Sequence, residues 1–210
     1  PASYSIPALH KSFFHRLLNF FIFMMSSFLK GLATRKVDLV WGTTPPIFQS
    51  VTAWLLARLK RVPFVLEVRD LWPDFAIDVG VLNNRLLIRA SRWLEKFLYR
   101  HADHIIVNSP GFINHISSKT TKPVTLIPNG VDITMFSPES DCVKNKSDYG
   151  FEGKFVVLYA GAHGLANDLI TVLKAAEQLV EHPEIMIVLV GDGKEKPGLK
   201  AYASEKNLTM

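Results

Sequence analysis

Cysteine is almost missing from this chain. A single residue, Cys142, excludes an intramolecular disulfide framework and a cysteine-based zinc site. The seven histidines, at positions 10, 15, 101, 104, 115, 163 and 182, do not recur at metal-ligand spacing. There is no Gly-x-Ser-x-Gly elbow and no Walker-type Gly-x-x-x-x-Gly-Lys loop, so two common catalytic scaffolds drop out. No repeat of solenoid period is visible. Long apolar runs are missing too. The longest stretch, Leu17 to Leu29, spans only about 20 Å as a helix, against roughly 30 Å of bilayer hydrocarbon. It lacks the small-residue cleavage site of a signal peptide.

What remains is an ordinary globular balance, with 48% apolar and 20% charged residues. The composition excludes a disordered or low-complexity chain. A net charge of +5 permits anionic partners without naming one. The Phe-rich stretch from Leu17 to Leu29 leaves two readings. It is a helix buried deep in an α/β core, or one that dips into a membrane interface with help from Lys11, Arg16, Lys30, Arg35 and Lys36.

From Val37 onward, short β-branched runs alternate with helix-like stretches. Strands are expected at 38–41, 64–68, 104–107, 124–127, 155–159 and 185–190. Helices are expected at 47–60, 84–101, 110–119, 167–182 and 194–206. The strands are continuous rather than alternating, as for strands covered on both faces. Alternation of this kind implies parallel sheets with right-handed crossovers. A polar stretch without apolar periodicity, residues 137–153, reads as a linker. The expected organisation is therefore residues 1–136, the linker, and a second α/β unit from 154 to 210. The second unit is short, and the chain opens on Pro1, so an excerpt of a longer protein is expected.

On the helix at 84–101, Arg85, Arg89, Arg92, Lys96 and Arg100 fall within an arc of roughly 80°. Leu86, Ala90, Trp93, Leu94, Phe97 and Leu98 fill the neighbouring arc, which is expected to pack on the core. The basic stripe is either a solvated face or a contact with anionic lipid head groups. Aromatic residues are not interleaved with it in a nucleic-acid motif, so nucleic acid is not an expected partner.

Four segments carry candidate chemistry. After the strand at 155–159, Gly161-Ala162-His163-Gly164 opens a helix, as a phosphate cradle or as a tight turn. Asn167 and Asp168 are placed to cap that helix. After the strand at 185–190, Gly191-Asp192-Gly193 lines the same edge, followed by Lys194 and Lys196. Glu67, Arg69, Asp70, Trp72 and Asp74 cluster at the end of the strand at 64–68. Such groups need a cleft or partners, and an Arg69–carboxylate pair fastening the loop is the plain alternative. Ile127-Pro128-Asn129-Gly130-Val131-Asp132 marks a sharp turn. His101 and His104 read as structural.

The order of Glu67-Val68-Arg69-Asp70-Leu71-Trp72-Pro73, Ala102-Asp103-His104-Ile105-Ile106-Val107-Asn108-Ser109, Ile127-Pro128-Asn129-Gly130-Val131-Asp132 with Phe136, Tyr159-Ala160-Gly161-x-x-Gly164 and Val190-Gly191-Asp192-Gly193 resembles the group 1 glycosyltransferases (family GT4, GT-B fold). The branch it resembles is that of bacterial O-antigen and capsule synthesis. The resemblance implies two Rossmann-like domains, the first for the acceptor and the second for a sugar nucleotide. It implies transfer with retention of anomeric configuration, no cofactor and no essential metal. Gly161, Ala162, His163 and Gly164 would then face the donor diphosphate or sugar, and Gly191, Asp192, Gly193 and Lys194 the nucleotide pocket. Glu67, Arg69, Asp70 and Trp72 would lie on the acceptor side, with Arg69, Asp70 and His163 nearest the chemistry. The chain departs from the family in three ways. No basic residue stands in or just after the first glycine loop. Arg69 stands where many relatives have His. Neither the opening Gly-rich strand nor the downstream Glu-x7-Glu element is present.

These expectations amount to an enzyme of surface polysaccharide synthesis, peripheral at the cytoplasmic face of an anionic membrane, acting on a lipid-linked acceptor. Two other functions compete with it: a GT-B sugar-nucleotide epimerase, and a non-catalytic module that binds sugar nucleotide or membrane surface.

Overall fold

The β-branched and aromatic runs pair as parallel strands, in two separate sheets. The computed structural model describes residues 13–136 and 146–208, with side chains from residue 18. Lys11, the Arg16 side chain, Cys142 and the linker positions 137–145 lie outside the described residues. The chain divides into two units, Pro1–Gly130 and Val131–Met210.

In the first unit the sheet order is β1 (Val40–Thr44), β2 (Phe64–Val68), β3 (His104–Val107), β4 (Val124–Leu126). Every neighbouring pair is parallel. Strand β1 starts and ends later than expected, because Gly42 pairs with Leu66 and Thr44 with Val68. Pro45 and Pro46 then stop it, having no N–H to offer a ladder.

Helices α2 (Ile47–Lys60), α4 (Arg85–His101) and α5 (Gly111–Ser117) fill the crossovers, and short α3 (Asp74–Asp78) follows β2. In a sequential parallel order every right-handed crossover steps the same way, which puts these crossover helices on one face. Phe64, Leu66, Val68, Ile105 and Val107 point to that face and form its buried core with Ala53, Ala57, Leu98 and Ile116. Gly42 lets α2 approach closely. A Cβ there would stand 2.6 Å from the Cβ of Ala53.

Helix α1 (Phe13–Ala33) is longer than the apolar run suggested. It lies on α2, where a Cβ on Gly31 would stand 2.6 Å from Leu56. Gln49 Nε2 donates to Ser27 Oγ across the same contact, at 3.4 Å. Phe21, Met25, Leu29 and Leu32 are exposed along the outer face, so deep burial in the core is not its state. Among the described residues, no helix is long and apolar enough to cross a membrane.

The second unit pairs β5 (Phe155–Ala160) with β6 (Ile185–Val190) in parallel along their whole length. Helices α6 (Leu169–Gln178) and α7 (Lys196–Glu205) bury Leu169, Leu173, Leu199 and Ala203 against each other. The expectation of strands covered on both faces fails for β5: Tyr159 packs on the helices, while Leu158, on the opposite face, is exposed. Both helices pack into one apolar cluster with Tyr159 and Leu189, so they cover one face of this two-stranded sheet.

Candidate functional site

In an open parallel sheet, ligands are taken at the carboxyl ends of the strands. In the first unit that edge carries Thr43 and Thr44 at the end of β1, Arg69 and Asp70 after β2, and Asn108 after β3. Thr43 Oγ1, Thr44 Oγ1 and Asn108 Oδ1 are buried there without a hydrogen-bond partner among the described residues. Each such group costs about 1–3 kcal/mol, so this edge holds polarity that packing alone does not reward.

The loop after β2 is fastened at both ends. At its start the Arg69 N–H donates to Thr44 O at 2.9 Å. In the middle, Leu71 and Trp72 pack on the core and Pro73 is buried. The side chain of Arg69 is exposed and that of Asp70 half-buried. An Arg69–carboxylate pair is not what fastens the loop: neither Arg69 nor Asp70 has a side-chain partner among the described residues. Glu67 points away from the core and accepts from Trp41 Nε1 at 3.3 Å.

Asp74 holds the far end. Its Oδ1 accepts from Arg92 Nε at 3.3 Å and Nη2 at 3.2 Å. Its Oδ2 lies 3.7 Å from His115 Nε2 and 3.8 Å from Lys119 Nζ. Behind them sits Glu95, only 2% exposed. Both of its oxygens accept from Lys119 Nζ, at 2.9 and 2.8 Å, and His115 Nε2 is 3.3 Å away. The Tyr99 hydroxyl is pushed far above the ordinary phenol range, by burial first and then by the Glu95 carboxylate beside it.

Glu95, His115 and Lys119 went unread in the sequence. The available signal was Glu95 itself, the one acid on a helix of five basic residues.

Its burial also corrects the orientation of α4. The core-facing residues are Glu95, Leu98 and Tyr99. Leu94, Phe97 and Leu98 pack on the core as expected, whereas Leu86 at 77%, Trp93 at 65% and Ala90, from the same expected arc, face solvent. The inward side of the helix carries the Glu95–Lys119 ion pair beside Leu94, Phe97 and Leu98. Arg85, Arg89, Lys96 and Arg100 are exposed, and Arg92 is committed to Asp74. Trp93 stacks on Phe97 at 5.5 Å, and Phe97 on His101 at 4.1 Å.

In the second unit the two glycine loops meet at the carboxyl edge. Gly161 N donates to Val190 O, and His163 N to Asp192 O, both at 2.9 Å. A Cβ on Gly191 would lie 1.8 Å from Gly161 O, and one on Gly193 2.3 Å from His163 O. Glycine is required here by close backbone approach. His163 is 4% exposed, and neither ring nitrogen has a partner among the described residues.

His163 lines a cavity of about 700 Å³, together with Leu173, Lys196 and Leu199. Lys194 is exposed, while Lys196 turns back and donates to Gly191 O at 2.8 Å. Asp168 starts α6 in a left-handed conformation without capping it, and its side chain accepts instead from Thr171 Oγ1 at 2.7 Å. Ala162 and Gly164 complete the loop, with Ala162 O accepting from the Tyr159 hydroxyl at 2.9 Å. Among the described residues, no cluster of His, Cys, Asp or Glu is arranged to hold a metal ion.

The family model described as "Glycosyl transferase 4-like domain" matches residues 4–130. The chain belongs to this glycosyl transferase 4-like family. Two curated relatives agree. One is WcaI of Escherichia coli (strain K12), which carries the name of a colanic acid biosynthesis glycosyl transferase. It is 26% identical over 204 residues, which is 92% of this chain and 50% of the relative. The other is WbjE of Pseudomonas aeruginosa, named as a glycosyltransferase, 27% identical over 81% of this chain and 44% of its own length. The chain thus spans about half the length of the curated relatives it matches.

Among solved structures, Anabaena Alr3699/HepE in complex with UDP superposes with TM-score 0.68 at 18% identity, over 91% of this chain and 51% of that one. The same protein with UDP-glucose gives TM-score 0.67 at 19% identity, over 89% and 49%. Sucrose-phosphate synthase from Thermosynechococcus elongatus gives 0.71 at 18% identity, over 97% and 51%. These likenesses identify the GT-B type of α/β fold for this glycosyl transferase 4-like chain.

Proposed function

We propose that the protein is a glycosyltransferase of surface polysaccharide synthesis. It moves a sugar from a nucleotide-sugar donor to a lipid-linked saccharide acceptor, with retention and without a metal. The observation that carries this reading is the pair of glycine loops at the carboxyl ends of β5 and β6. There the backbone approach leaves no room for a Cβ on Gly191 or Gly193, and the buried His163 ring has two free nitrogens. Exposed backbone at such an edge suits a diphosphate.

In this reading Gly161, Ala162, His163 and Gly164 face the donor diphosphate, and Gly191, Asp192 and Gly193 the nucleotide. Lys196, which donates to Gly191 O, and the exposed Lys194 supply positive charge beside that edge. Arg69, Asp70, Glu67 and Trp72 receive the acceptor on the first unit. The sugar C1–O bond to the diphosphate breaks, and the acceptor hydroxyl oxygen bonds C1 on the same face. The hydroxyl proton passes to the departing phosphate oxygen. Positioning and stabilisation of the leaving diphosphate supply the acceleration.

The exposed arc of α4, with Leu86 and Trp93 beside Arg85, Arg89, Lys96 and Arg100, supports a place on the cytoplasmic face of an anionic membrane.

The test is titration calorimetry of the full-length protein with a panel of nucleotide sugars, UDP-glucose first, followed by transfer to membrane-extracted lipid acceptors. Saturable donor binding with acceptor-dependent transfer is expected. No binding to any nucleotide sugar would sink the reading. Sugar epimerisation without acceptor would replace it with the epimerase function.

A further inference from the structure

We infer that the buried Glu95–Lys119–His115 group is a positioning device for the loop from Arg69 to Asp74. This deepens the proposed acceptor role of that loop and rests on it for its functional consequence only.

The geometry is a relay. Glu95 is buried on α4 and holds the Lys119 ammonium with both oxygens. Thus fixed, Lys119 sits 3.8 Å from Asp74 Oδ2, and His115 sits 3.7 Å from the same oxygen. Arg92 fixes the other oxygen. Asp74 is the last residue of the loop and the first of α3, whose opening hydrogen bonds run from Phe75 N to Leu71 O and from Ile77 N to Pro73 O. The position of Asp74 therefore sets the path of Leu71, Trp72 and Pro73, and with Thr44 it sets where Arg69 and Asp70 stand. The charges balance without the histidine: Asp74 and Glu95 against Arg92 and Lys119. One ring nitrogen of His115, Nε2, touches Lys119 and Glu95 together.

A stability role alone does not account for this group. A buried ion pair is often no more stable than apolar side chains of equal volume, and its best-attested use is to select one arrangement among several. An apolar core here would leave α4 and α5 packed but take Lys119 away from Asp74 Oδ2, leaving Arg92 and His115 as its charged neighbours. Arg69 and Asp70 lack side-chain partners among the described residues, so their placement depends on the loop's two ends.

The experiment uses the full-length protein and two variants, Glu95→Leu with Lys119→Met together, and Asp74→Asn alone. Asp74→Asn keeps the buried pair, so it remains folded if the double variant does not. Hydrogen exchange by mass spectrometry reads segment 69–75 against the peptides of β2 and β3. At least tenfold faster exchange confined to 69–75 is expected in both variants. In transfer assays the acceptor KM rises at least fivefold while the donor KM holds. Unchanged exchange in 69–75, or equal acceleration throughout the first unit, overturns the inference. So does an equal loss toward both substrates. A wild-type protein that transfers no sugar overturns the proposed function instead, and leaves the exchange result to decide the loop.

Discussion

Replacing Lys119 by Met should destabilise the first unit more than any surface substitution. The change removes both short bonds to Glu95, at 2.8 and 2.9 Å, and leaves a carboxylate that is 2% exposed. Its remaining neighbours are His115 at 3.3 Å and the Tyr99 hydroxyl. Stranding one partner of a buried pair costs about 3–5 kcal/mol. Lys119 keeps some solvent contact, with a side chain 24% exposed, so the lower end, about 3 kcal/mol, is the expected loss. In a domain of this size that lowers the unfolding midpoint on the order of 10 °C. Urea unfolding followed by tryptophan fluorescence should show a lower midpoint at unchanged slope. Adding Glu95→Leu removes the stranded charge and should recover more than half of the loss. A single variant that loses less than about 1 kcal/mol would refute the reasoning, since Glu95 would then not depend on Lys119. A double variant as unstable as the single would refute it too.

Gly191→Ala should distort the second unit, because the new Cβ would lie 1.8 Å from Gly161 O. The expected loss is about 1–3 kcal/mol with at least tenfold weaker nucleotide-sugar binding, and calorimetry showing both unchanged would remove the close-approach argument. Glu177 is held below its ordinary value of 4.5, first by the hydrogen bond from Tyr202 and then by Lys206. Its contribution is present above that ordinary value and fades as pH falls through the lower folded value. Tyr202→Phe should bring the Glu177 titration back toward 4.5, and a carboxyl NMR titration that does not move would contradict this. Vesicles of anionic lipid should retain the protein at low salt and release it as salt rises. Replacing Arg85, Arg89 and Lys96 with Ala together should weaken partitioning by about 3 kcal/mol, or roughly a hundredfold. No retention at low salt would withdraw the membrane reading.

Alternating periodicity made most of the fold legible. Strands β2, β3 and β6 stand where their apolar runs put them, because β-branched runs bounded by polar turns have few alternatives in a parallel sheet. Boundaries moved where pairing overrode local pattern, as at β1, which runs on to Thr44 to match Val68. Short α3 carries too few residues to show a period and was invisible. The glycine loops were legible as loops. The need for glycine at Gly191 is a contact with Gly161, thirty residues away, and no local pattern encodes such a contact.

Helix α4 shows how local pattern can point the wrong way. Its strong amphipathicity is real, but the sequence does not say which side meets the core. Counting apolar residues favours the arc of Leu86, Ala90, Trp93, Leu94, Phe97 and Leu98, and only its Leu94, Phe97 and Leu98 side packs on the core. The structure also buries the helix's only acid, for which two partners, His115 and Lys119, arrive from α5 and the residues just after it. The inward side is shared between apolar residues and one paired charge, and that pairing is made between elements. The consequence is a surface the sequence did not predict: Trp93 and Leu86 stand among Arg85, Arg89 and Lys96 on the outside. An inward-facing apolar arc would have left only solvated arginines there. The outward one adds the apolar component that interfacial binding needs. Thus one helix carries both the buried pair beside the loop at Asp74 and, on its outer side, the apolar and basic residues that suit a membrane surface.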